Sequence, residues 1–142
     1  MPGRVVEAEE LWYDPHRWAA WVDGFGHVAR IEGDWPAVGS RLLWDSPPRG
    51  RGRVAERMTA YEPRSGSTVE VEDEKMRGVQ AVTFEPDGLE HVRVTLTLEW
   101  ELKDQPAFAG LIRPIFVRRA MRDSLRRTLA RFAHERRAER EL

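Results

Sequence analysis

Apolar and polar residues alternate most regularly where Val92, Val94, Leu96, Leu98, Trp100 and Leu102 are separated by Arg93, Thr95, Thr97, Glu99 and Glu101. A period of two gives a strand one apolar and one wet face. Val69 and Val71, set against Glu70, Glu72 and Glu74, repeat the pattern. From His27 to Leu102, turn-forming residues divide the sequence into six predicted strands at roughly 27–32, 39–46, 52–62, 67–76, 78–85 and 90–102. Four of the five breaks are marked by Gly33-Asp34, Pro47-Pro48-Arg49-Gly50, Pro63-Arg64-Ser65-Gly66 and Pro86-Asp87-Gly88. Connections this short make antiparallel neighbours. A sheet with one apolar face needs another element laid across it.

The C-terminal segment is predicted to supply that element. From about Phe108 to Arg137 the only helix breakers are Gly110 and Pro114. Leu111, Ile115, Met121, Leu125, Leu129 and Phe132 fall near helical spacing, with arginines on the remaining positions. The spacing predicts one long amphipathic helix, bent near Pro114. At the other end, Asp14 before Pro15 has the form of a helix cap, and a short helix follows, ending at Asp23-Gly24. Trp18, Trp21 and Val22 share its buried face. Residues 4–12, RVVEAEELW, are predicted as an edge strand on the strength of their Val-Val start, despite three glutamates.

Length and composition narrow the picture. The 142 residues suit one domain spanning 1–142, and 41% hydrophobic with 33% charged residues is a composition that folds. No run approaches the ~20 apolar residues of a membrane span, and the start does not resemble a signal peptide, so a cytoplasmic protein without stable membrane insertion is expected. The absence of cysteine excludes disulfides, thiolate nucleophiles and cysteine-based metal sites. The net charge of −1 conceals an asymmetry. Residues 1–105 hold 13 Lys+Arg against 20 Asp+Glu, a net of −7, while residues 106–142 hold 10 against 4, a net of +6.

The order strand, short helix, six-stranded meander and long C-terminal helix resembles the START/Bet v 1-like (SRPBCC) superfamily, especially its bacterial polyketide cyclase/dehydrase and lipid-transport branch. The resemblance is carried by Asp14-Pro15 with a helix ending at Trp21, by Pro36 and Gly39-Ser40 before a strand, and by Met58-Thr59-Ala60-Tyr61-Glu62-Pro63. Phe84-Glu85-Pro86-Asp87-Gly88, the strand from Val92 and the Arg-rich last helix complete it. One departure stands out. The family carries a helical stretch between its first strand and the Asp-Pro, and Leu11-Trp12-Tyr13 leaves almost no room for one. The resemblance implies an α+β helix-grip fold, in which a curved antiparallel sheet of six to seven strands wraps a long C-terminal helix with an apolar cavity between. It further implies a small apolar or amphipathic ligand, such as a lipid, polyketide, isoprenoid or aromatic compound, and no cofactor.

Six tryptophans, at 12, 18, 21, 35, 44 and 100, could build the flat walls of such a cavity or simply pack the core. The expected lining is Trp44, Met58, Val71, Phe84, Leu96, Leu98 and Trp100 from the strands, with Leu111 and Ile115 from the helix. Trp18 and Trp21 are expected to anchor the short helix instead. His16, His27, His91 and His134 lack metal-ligand spacing, so no metal site is expected. Tyr61, Glu56, Arg57 and His27 are the polar candidates for acid–base work, and the strand pattern as read assigns none of them to the interior. Three function classes stay open: a binding protein for a small apolar ligand, an aromatase/cyclase or dehydratase acting on a polyketide-like substrate, and an interaction module using the arginine helix. The acidic body disfavours nucleic acid as a partner, and a homodimer is compatible with the sequence.

Overall fold

The computed structural model describes residues 1–48, 50–103 and 127–138. The predicted strands are present as β1 (His27–Glu32), β2 (Arg41–Asp45), β3 (Arg53–Glu62), β4 (Gly66–Glu72), β5 (Met76–Pro86) and β6 (Val92–Leu102). They form one antiparallel sheet in sequence order, β1-β2-β3-β4-β5-β6, as the short connections require. Register irregularities fall between Val28 and Arg30 and between Met58 and Ala60. A bulge of this kind bends a strand and increases its twist, and here it helps curve the sheet.

Residues 4–12 correct the expectation of a strand. They form helix α1 (Val5–Trp12), whose buried face holds Ala8, Leu11 and Trp12 at three- and four-residue spacing. Residues 1–3 pair with the sheet at the start of β6, where Pro2 bridges His91, Met1 exchanges backbone hydrogen bonds with Val92 and Gly3 N–H donates to the Glu90 carbonyl, so the seventh strand shrinks to this short pairing. The helical stretch that seemed to lack room therefore occupies the positions given to the strand.

Asp14 caps a 3-10 helix, Pro15–Ala20, with its Oδ1 accepting from the His16 backbone N–H at 3.1 Å. Residues 127–138 are helical and are named α2; Leu111, Ile115 and most of the long predicted helix lie outside the described residues. Phe132 of α2 is fully buried between Trp12 and Trp21, with ring centroids 5.2 and 4.9 Å away. The Asp23 backbone N–H donates to Thr128 Oγ1 at 2.9 Å, and the Asp23 carboxylate meets Arg127 and Arg131. Helix, 3-10 turn and inner sheet face thus enclose one core.

Candidate functional site

Four of the six tryptophans, Trp12, Trp18, Trp21 and Trp44, are buried in that core. Trp12 and Trp21 stack at 4.8 Å, Trp18 meets Trp21 edge-on at 6.3 Å, and the Trp18 indole N–H donates to the Trp12 carbonyl at 2.8 Å. These same four rings wall a cavity of about 70 Å³ between the sheet and α2. Trp18 and Trp21 therefore anchor the 3-10 helix and border the cavity together.

Val71 and Leu96 also border this cavity, as does Trp44. Met58 borders a second space of about 20 Å³, room for about one water molecule. Glu56 and Gln80 border both spaces. Phe84 is buried against Trp12 and Tyr13, each with centroids 6.1 Å away, and among the described residues lines neither space. Leu98 lines neither as well, and Trp100 borders an open groove with Gly78 and Val79. Of the tryptophans, Trp35 is half-buried and borders the smaller space.

Among the polar candidates, the structure turns Glu56 inward. β3 alternates about its axis, and the neighbours of Glu56 two residues away, Val54 and Met58, are buried on the core side. Glu56 Oε2 accepts from the Trp44 indole N–H at 2.7 Å, reaching diagonally from β2. Burial pushes the Glu56 carboxyl above the usual carboxylate range, and it outweighs the opposing bond from Trp44 and charge of Arg51. Arg57 points to solvent and pairs with Glu70, while Tyr61 is half-buried against Tyr13. His27 is exposed, with Nε2 3.3 Å from Asp45 Oδ2. His16, His91 and His134 are exposed too.

Sequence reasoning placed Arg51 in a hairpin turn and did not bring it to the cavity. It follows the turn between β2 and β3 and borders the cavity. Its Nε donates to Asp73 Oδ2 at 2.9 Å, and its guanidinium carbon lies 5.7 Å from the Trp44 ring centroid. Asp73 is itself buried, and its other oxygen accepts from the backbone N–H groups of Lys75 and Met76 at 2.8 and 2.9 Å. No periodicity announces Arg51, because the tract Arg51-Gly52-Arg53 reads as an ordinary turn. The Tyr13 hydroxyl, beside the smaller space, donates to Ser67 Oγ at 2.9 Å, and burial pushes it up to about 12.

Chemically, the site offers aromatic walls, a carboxyl whose burial favours its protonated form, and a fixed guanidinium.

The model of a family described as "Polyketide cyclase / dehydrase and lipid transport" matches residues 4–135. Comparison with curated proteins gave no match. Among solved structures, a conserved protein from Geobacillus kaustophilus superposes with a TM-score of 0.68 at 15% identity, covering 94% of this chain and 91% of its own. At that identity the likeness speaks for the helix-grip fold alone.

Proposed function

Because the chain belongs to the polyketide cyclase/dehydrase and lipid transport family, we propose that it binds a small, mainly apolar molecule in the cavity between its sheet and α2. The observation that carries this reading is a space walled by four tryptophans and meeting one buried carboxyl, Glu56. Ligand pockets characteristically combine aromatic surface with a few placed polar groups. As closed, about 70 Å³ is less than the roughly 150 Å³ that admits benzene, so a ring-sized ligand enters only as a wall gives way. Arg51, with 28% of its side chain exposed, stands at the rim of the cavity.

Native mass spectrometry of the freshly purified protein, followed by denaturing extraction, tests the reading. A co-purifying apolar molecule, displaced when Leu96→Trp fills the cavity, is the expected result. If no apolar compound co-purifies, and none added to the protein shifts the indole N–H resonances of Trp21 or Trp44, the reading is wrong.

The buried carboxyl supports a second reading, catalysis of a cyclase or dehydratase type with Glu56 as general acid–base group. A proton-transfer role predicts that Glu56→Gln lowers turnover of a polyketide-like thioester by about 10²-fold or more while binding persists. Equal turnover by the variant removes this reading and leaves the first intact.

A further inference from the structure

We propose that Arg51 sets the specificity of the cavity, its Nη2 anchoring a carbonyl or carboxylate oxygen of the bound molecule. This rests on the binding reading above and adds a chemical requirement to it. The guanidinium is fixed from two directions, by Asp73 at Nε and by the face of Trp44. Asp73 is in turn held by two backbone N–H groups of the β4–β5 turn, so the arginine is aimed before any ligand arrives.

Yet Nη2 is buried and has no hydrogen-bond partner among the described residues. A buried donor on a charged group left unmade is costly, and native structures rarely keep one without a use. The buried carboxyl on the cavity wall does not supply the acceptor. Glu56 makes no ion pair with Arg51, and its Oε2 is engaged by Trp44. Guanidinium and carboxyl therefore border the same space without meeting, which leaves room between them for an acceptor oxygen. A hydroxyl beside that oxygen would have Glu56 as its own partner.

Three probes of similar size separate the requirements: ethylbenzene, with no acceptor; acetophenone, with a carbonyl; and benzoate, with a carboxylate. Affinities are read from indole N–H shifts of the full-length protein. We expect acetophenone, benzoate or both to bind at least about tenfold tighter than ethylbenzene, as a hydrogen bond to a charged donor would give. Whichever of the two is preferred identifies the oxygen. In Arg51→Met the preference should collapse towards unity while ethylbenzene binding is kept. Arg51→Lys, which retains the charge and lacks Nη2, should lose most of the preference even if the methionine variant folds poorly. Equal binding of all three probes, or a preference that survives both substitutions, overturns the proposal and leaves the binding reading standing. Failure of every probe, ethylbenzene included, overturns the proposal, and joined to the absence of any co-purifying apolar molecule it overturns the binding reading as well.

Discussion

A carboxyl placed in an apolar interior reports its surroundings through its proton. Glu56 is protonated in both folded and unfolded chains at low pH, where its contribution to stability is whole. As pH rises past the ordinary glutamate value of 4.5, the unfolded chain releases the proton first, because burial holds the folded pKa higher. Folded stability should then fall by about 1.4 kcal/mol per pH unit until the folded pKa is reached. Glu56→Gln keeps an acceptor for Trp44 and lacks that slope. Urea unfolding at a series of pH values from 4 upward should therefore show the variant gaining on the parent as pH rises. Parallel curves would mean that Glu56 is solvated. Glu56 stood among the polar candidates in the sequence, but its inward side was not read there; the burial of Val54 and Met58, two residues to either side, is what shows it. Arg51 was not legible, since its placement depends on Asp73, 22 residues away in another turn.

At the level of elements, Gly- or Pro-containing turns marked four of the five connections, because such residues leave the backbone few alternatives, whereas the β4–β5 turn, Asp73-Glu74-Lys75, has neither residue and the break expected near residue 77 falls inside β5. The first element was misread. Val5-Val6 favours a strand locally, but Ala8, Leu11 and Trp12 are spaced for one helical face, and burying that face outweighs a propensity difference of well under 1 kcal/mol per residue. Buried Glu9 also belongs to a helix: its carboxylate accepts from the backbone and side chain of Arg64, which sits at φ 68 in the β3–β4 turn. The docking of α2 follows the predicted apolar spacing at Leu129 and Phe132. Phe132→Ala should cost about 3–5 kcal/mol, since it empties the contact with Trp12 and Trp21. Chemical denaturation measures this directly. A loss below about 1 kcal/mol would show that α2 contributes little to the core.

Across the whole molecule, the charge asymmetry visible in the sequence joins the two ends of the chain. Among the described residues the basic C-terminal segment pairs with Asp23 and Glu7, both in the N-terminal helical region. Arg127 and Arg131 are about half exposed, so their pairs with Asp23 are weak and screened by salt. Arg136 differs: its side chain is 3% exposed, and Nη2 reaches Glu7 Oε2 at 3.1 Å and the Pro2 carbonyl at 3.4 Å. Breaking such a buried interaction on one side costs far more than breaking a surface pair.

Gly3 makes this closure sterically feasible. It adopts φ +110, and a Cβ there would lie 2.1 Å from Arg136 Nη2. The chain at Gly3 also donates its N–H to the Glu90 carbonyl at 2.7 Å, so it cannot easily swing aside. Gly3→Ala should therefore strain the backbone and displace the guanidinium together, lowering stability by on the order of 2 kcal/mol. Arg136→Met removes the group that the new methyl would strike. If the clash is with Arg136, the double variant loses less than the two single variants combined, because the arginine can be displaced only once. Additive losses would assign the whole effect to the left-handed backbone at Gly3 and remove Arg136 from it. Hydrogen exchange at α2 distinguishes the cases independently, since displacing Arg136 should raise exchange in residues 127–138 while backbone strain alone should act mainly on the Pro2–His91 bridge.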